Sequence, residues 1–237
     1  MRNFVVIFLV FFISCKEKNI ENELELEILN NSIVSFQSVE NSDDIYKNMM
    51  DSNIVNKSKT IITYKLTNNS KSIYYFNMNF NSRFEGEIKG IPLKNGDLCI
   101  YENNKNEIVK INTHRINYNF SGNNCNSKNF KISKFLGYSK DFDSPYLQEQ
   151  SNFIIHPNET LYFEWFVNLP YGNEIQKASL KLDKNKKYLA QIVMFSDSIN
   201  YKKALSRTTL QTIKDNNIKV YHGIIESKNS VPVKVLE

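Results

Sequence analysis

The chain has 237 residues, 41% apolar and 13% aromatic, with 30 Lys and Arg against 25 Asp and Glu for a formal net charge of +5. That apolar share supplies a core and excludes a disordered tail, and the length suits one large domain or two small ones. Lysine and glutamate are interspersed, so the basic balance gives weak attraction to anionic surfaces and no support for nucleic-acid recognition, which needs a basic stripe.

The first element is the apolar run from Phe4 to Ile13, preceded by Arg2 and followed by Ser14 and Cys15. A bilayer-spanning helix needs ~20 apolar residues, about twice what this run offers. A positive start, an apolar stretch of ~7–15 residues and a small residue after it fit a secretory signal instead, so 1–14 is expected to be a signal peptide. Phe12-Ile13-Ser14-Cys15 resembles the bacterial lipobox. The resemblance implies that the Cys15 thiol receives a diacylglycerol, that the chain is cut before it, and that Cys15 becomes an N-acylated (for example palmitoylated) N-terminus. Two or more acyl chains suffice for stable anchoring, so the membrane becomes a partner without a transmembrane helix. An ordinary cleaved signal with an incidental Cys15 is the alternative.

Residues 15–32 read as the lipidated N-terminus and tether. Lys16-Glu17-Lys18, followed by Glu21, Glu23, Glu25 and Glu27, form a polar tract. It is similar to the export signal of Bacteroidota-type surface lipoproteins, and it equally suits a solvated spacer. The expected location is the outer membrane, facing either the periplasm or the cell surface.

From residue 33 to 237 the chain reads as one domain dominated by period-2 alternation. Ile62, Tyr64 and Leu66 alternate with Thr63 and Lys65, and the segment 59–80 reads as a hairpin turning at Asn68-Asn69-Ser70-Lys71. An irregular insertion at about 81–149 follows, with short strands expected near 97–101, 107–111 and 130–138. Further hairpins are expected in 152–170 around Pro157-Asn158-Glu159, in 178–195 around Asp183 to Lys186, and in 218–235 around Ser227 to Ser230. Between the last two, 199–216 places Ala204, Leu205, Leu210 and Ile213 at rough helical spacing, so one short helix or an excursion is expected there. The predicted fold is all-β, mostly antiparallel. Trp165, on a strand that follows a proline-and-acid turn, and the closing paired strands look like a bacterial immunoglobulin-like β-sandwich. "LTNNSKSIYYF" and "IIHPNETLYFEWFV" are similar to small proteinase-inhibitor-like β-sandwich domains.

With Cys15 lipidated, Cys99 and Cys125 remain as a pair in an oxidising compartment, and a disulfide between them is expected to stabilise by ~3–3.5 kcal/mol. Two unpaired buried thiols, or a metal site, are the alternatives.

No catalytic constellation stands out. The seven glycines form neither a dinucleotide fingerprint nor a P-loop. His114, His156 and His222 have no zinc spacing, and no nucleophile elbow occurs. No cofactor, metal or catalytic residue is therefore expected. A glycosidase would need two facing carboxylates, for which Glu164 with Asp97 or Asp197 are the candidates. Tyr74, Tyr75, Tyr162 and Trp165 are candidates for a binding surface, because aromatic residues are enriched at interfaces. Burial of Trp165 with Leu161, Phe163 and Val167 on one strand face is the competing reading. The expected function is a non-catalytic binding or interaction module of the cell envelope with a protein or glycan ligand. A protease inhibitor acting through the loop 139–150, or an envelope glycan hydrolase, are the alternatives.

Overall fold

A computed structural model describes residues 23–37, 60–78, 90–103, 107–113, 151–167, 169–170, 178–199 and 201–237. In chain order its strands are β1 (Leu24–Ile28), β2 (Ile33–Phe36), β3 (Thr60–Asn68), β4 (Tyr74–Phe76), β5 (Ile91–Leu93), β6 (Gly96–Glu102), β7 (Glu107–Ile108) and β8 (Ile111–Thr113). β9 (Phe153–Ile155), β10 (Thr160–Val167), β11 (Ala178–Leu180) and β12 (Tyr188–Ser196) follow. Helices α1 (Tyr201–Ala204) and α2 (Arg207–Asp215) then precede β13 (Lys219–Val220), β14 (Gly223–Glu226) and β15 (Val231–Leu236). The described residues are mostly β, and most of their pairings are antiparallel.

Two sheets face one core. The first is ordered β1-β3-β10, and the second runs β2-β15-β12-β6-β5 with β14 also on β12 and β7 on β6. Leu24, Leu26, Ile28, Ile62, Tyr64 and Leu66 from the first sheet share a buried cluster with Ile33, Leu98, Ile100, Ile192, Val231 and Val233 from the second. Each such side chain contributes ~1.5–3 kcal/mol by leaving water. A third sheet, β13-β4-β9, is joined to this core by rings. Phe76 stacks on Phe153 at 4.7 Å and on Tyr221 at 5.1 Å, and Phe153 meets Phe163, which stacks on Tyr64 at 5.1 Å.

Several expectations are corrected. The expected tether 15–32 contains β1, because Leu24, Leu26 and Ile28 bury one face of the alternating "LELEI" while the glutamates keep the other wet. The expected insertion 81–149 contains β6, which is a central strand between β12 and β5. β6 covers the strand expected at 97–101, β7 and β8 fall near 107–111, and 130–138 lies outside the described residues.

None of the four expected hairpins pairs with itself. β3 and β4 instead run in file along β10 and β9, with Thr67 opposite Thr160 and Tyr74 opposite Ile155. β14 and β15 likewise share the same edge of β12, Glu226 opposite Val193 and Val231 opposite Ala190. β11 pairs with β8 rather than with β12. The polar clusters that read as reversals are breaks within longer strands, held by side chains. Buried Asn68 donates to the carbonyls of Ser72 and His156 and accepts from the Ser70 amide and hydroxyl. On the facing strand, the His156-Pro157-Asn158-Glu159 turn places Asn158 at φ 60, a conformation asparagine tolerates.

Where one helix or an excursion is expected in 199–216, the structure has a break between two helices at Leu205-Ser206. The Ser206 hydroxyl caps α2 by accepting from the Thr209 amide. At the other end, the Ile218 amide bonds the Ile213 carbonyl and the Asn217 amide the Lys214 carbonyl, with Asn217 at φ 51. This is a Schellman stop, and Ile213 and Ile218 make its customary apolar contact in a second small core with Tyr75 and Leu205.

Candidate functional site

Of the four candidate surface aromatics, Tyr74 and Tyr75 are buried. Tyr74 joins the main core and its hydroxyl donates to Glu23, while Tyr75 lies under the helices. Burial, then the Glu23 carboxylate, push the Tyr74 phenol above its ordinary range. Trp165 sits on the inner face of β10, packed against the core with Leu161 and Phe163, and its indole Nε1 is buried without a partner among the described residues. Only Tyr162 stands fully outward, 70% exposed.

Tyr162 belongs to a continuous outer face. Register places Phe166 opposite Ile61, and they are 47% and 54% exposed. Tyr162 is opposite Lys65, which in turn is opposite Glu27 of β1. Lys65 approaches Glu27 at 3.2 Å, and Lys228 approaches Glu27 at 3.0 Å and Glu25 at 2.6 Å. Hydrogen bonds from Lys228, then Lys65, hold the Glu27 carboxyl below its ordinary range. The outer face is thus apolar at the Ile61–Phe166 end and charged at the Glu25–Lys228 end, with the Tyr162 ring level with the Lys65–Glu27 pair and exposed Glu164 standing between Tyr162 and Phe166.

The carboxylates considered for glycan cleavage are not brought together. Glu164 shares the outer face of the first sheet, whereas Asp97 lies on the far side of the second, on the opposite face of β6 from core residues Leu98 and Ile100. Asp197 follows β12, where its carboxylate accepts from the Ile199 amide at 2.7 Å and lies 3.7 Å from His222 Nδ1. The Ser198 amide donates to that same Nδ1. His156 is exposed at its turn, and His114 and the loop 139–150 lie outside the described residues. Among the described residues no cluster of three His, Cys, Asp or Glu could hold a metal, and no helix is long and apolar enough to cross a membrane.

The expected Cys99–Cys125 bridge is not made: Cys99 carries a free, buried thiol, and Cys125, like Cys15, lies outside the described residues. Gly90 crosses so close to β6 that a Cβ there would stand 2.6 Å from Asp97 Cβ and 3.0 Å from Cys99 Sγ. Burial pushes the thiol up to about 12, with the Asp97 and Glu226 charges adding to it. The thiol is therefore protonated and inert at neutral pH, since only the thiolate is a nucleophile or metal ligand.

A second surface escapes sequence reasoning. The loop before β13 and helices α1 and α2 enclose an open cleft of about 790 Å³ lined by Tyr201, Lys202, Arg207, Leu210, Lys214 and Ile218, among others. Arg207 and Lys214 are seven residues apart on α2, a spacing that puts them on one helix face. That was the legible trace of this cleft.

Comparison of the chain with protein-family models, with curated proteins and with solved structures found no match.

Proposed function

We propose that the protein is a lipid-anchored, exported lipoprotein of the outer membrane whose β domain is a non-catalytic binding module of the cell envelope. The lipobox-like Phe12-Ile13-Ser14-Cys15 after a short apolar run supports the anchor. An immunoglobulin-like sandwich is the fold reading, supported by two largely antiparallel sheets across one core.

The observation that carries the binding role is the outward strip of Tyr162, Phe166 and Ile61 on the first sheet. Exposed apolar side chains gathered on one face, bordered by charged pairs, have the make-up of an interaction site with a polar rim. A rigid sheet presents them at fixed spacing, which lowers the ordering entropy lost on binding. The partner is an envelope protein or glycan that lays an apolar or ring-bearing surface against Tyr162.

Sedimentation with isolated envelopes tests this, using the chain from residue 15 onward with Cys15→Ser so that neither an acyl group nor the apolar run Phe4–Ile13 contributes. Saturable binding is expected, weakened at least tenfold by Tyr162→Ser with Phe166→Ser. Unchanged binding by that variant would overturn the reading. Protease treatment of the envelopes abolishes binding if the ligand is a protein and spares it if the ligand is a glycan.

A further inference from the structure

We infer that the α1–α2 cleft seats the domain on an anionic phospholipid surface, with lipid phosphates meeting Lys202, Arg207 and Lys214.

Charge is the first support. Lys65, Lys184, Lys186 and Lys228 each pair with a carboxylate. Lys202, Arg207 and Lys214, like most of the described lysines, make no ion pair among the described residues; what sets them apart is that all three are exposed on one cleft that no carboxylate lines. Helix α2 carries no acid in its first turn; its one carboxylate, Asp215 in the last turn, accepts from the Gln211 amide and keeps its negative charge next to Lys214 in the chain. Three cations, with no carboxylate among the lining residues, thus converge on one concave surface.

Apolar matter at the same place is the second. Two residues ahead of α1 and outside the cleft's own lining, Ile199 is 74% exposed, the most exposed large apolar side chain among the described residues. Tyr201 lies in the cleft with Lys202 Nζ 5.9 Å from its ring centre, and half-buried Leu210 stands beside them. A cationic rim around apolar and aromatic side chains is the pattern that settles at the headgroup boundary of a bilayer. The openness of the cleft suits a surface of many phosphates better than one enclosed anion.

Position is the third, and it rests on the proposed anchor at Cys15. From Cys15 to Glu23 is eight residues, a reach of at most ~28 Å. Glu23 is fixed by the Tyr74 hydroxyl and by the Asn69 amide. The next residue of β4, Tyr75, packs on Leu205 and Ile213 under the cleft. Neighbouring side chains of a strand face opposite sides, so the chain leaves the fold on the core face of β4, across that strand from the helices, and a leash of this length from an acylated Cys15 would keep the whole domain close to the bilayer.

The test uses the expected mature chain from residue 15 onward with Cys15→Ser, which carries neither an acyl group nor the apolar run Phe4–Ile13, so its outcome depends on neither. Co-sedimentation is measured with vesicles of phosphatidylcholine alone and of phosphatidylcholine with phosphatidylglycerol. Lys202→Gln, Arg207→Gln and Lys214→Gln together are expected to weaken binding to the anionic vesicles on the order of a hundredfold. Binding to the neutral vesicles should not change. Lys181→Gln, Lys184→Gln and Lys186→Gln, removing the same charge before the far end of β12, should have less than a tenth of that effect. Equal losses from the two triple variants, or none from the first, would overturn the inference. So would displacement by inorganic phosphate well beyond that by chloride at equal ionic strength, which would mark a site for a soluble anion.

Discussion

Asn229 reaches from the break between β14 and β15 to the opposite sheet and bonds both backbone groups of Ile28, accepting from its N–H and donating to its C=O, each at 2.9 Å. Around it, the Lys228 amide bonds the Leu26 carbonyl at 2.8 Å, and Ser227 bridges Leu26 in parallel register. The Ser227 hydroxyl meanwhile accepts from the Ile192 amide of β12. One four-residue break thus closes the edge of β1 and ties the two sheets together. Asn229→Ala removes both side-chain bonds and is expected to destabilise by about 1–3 kcal/mol. Chemical denaturation should report a lower midpoint with an unchanged slope.

Asn68 performs the equivalent task between β3 and β4, but from full burial. Its replacement by alanine leaves the Ser72 and His156 carbonyls and the Ser70 amide without their partner. A loss of about 2–4 kcal/mol is expected, larger than at Asn229 because the stranded groups are less open to water. Equal losses at the two sites in denaturant titrations would contradict the structure.

Cys99 gives the chain a pH signature. Its thiol is raised from 9.0 to about 12 in the folded state, chiefly by burial. Between those values the unfolded thiol ionises and the folded one does not, so the unfolded state binds fewer protons and stability falls as pH rises from about 9 to about 12. Half-buried Tyr101, also raised to about 12 by burial and then by the neighbouring Cys99 and Glu226 charges, adds a smaller contribution of the same sign. Cys99→Ala is expected to flatten the alkaline stability slope by up to one proton. Thiol labelling should modify Cys99 rapidly only after unfolding; modification in the folded state at neutral pH would contradict its burial.

Tyr162 and Trp165 lie three residues apart on opposite faces of β10, and they should separate binding from stability. Trp165→Phe removes an indole N–H that has no partner among the described residues and keeps a ring against the core. Its effect should be a modest loss of stability with envelope binding intact. Tyr162→Ser should leave stability within about 0.5 kcal/mol, as exposed substitutions usually do, and weaken binding. Parallel thermal melts and sedimentation assays distinguish the two, and a reversed pattern would mean that the inner face is the one that engages the ligand.

Much of the strand content is legible in the chain because alternation reports burial directly: "TIITYKLTN" and "TLYFEWFV" become β3 and β10 within a residue or so. Pairing is less legible. Asn68 to Lys71 and Ser227 to Ser230 carry turn chemistry, but the same residues bend a strand that continues along one partner, and only the distant strands β9, β10 and β12 decide between the outcomes. β1 hides behind its glutamates, whose charge gives "LELEI" the composition of a spacer although its period is that of a strand. Among the candidate aromatics, parity along β10 separates Tyr162 from Trp165, but the adjacent pair Tyr74-Tyr75 is buried on both sides because the core covers one face and the helices the other. The cationic cleft depends on a helix break and a return loop, and the i,i+7 spacing of Arg207 and Lys214 is its one local trace.

The anchor is the claim on which location, orientation and working environment all depend, and metabolic labelling with a fatty-acid analogue tests it most directly. Cells expressing the wild-type chain should incorporate the label and keep the protein in the membrane fraction, while Cys15→Ala should lose the label and leave that fraction. Equal labelling and unchanged fractionation of the two chains would contradict the account.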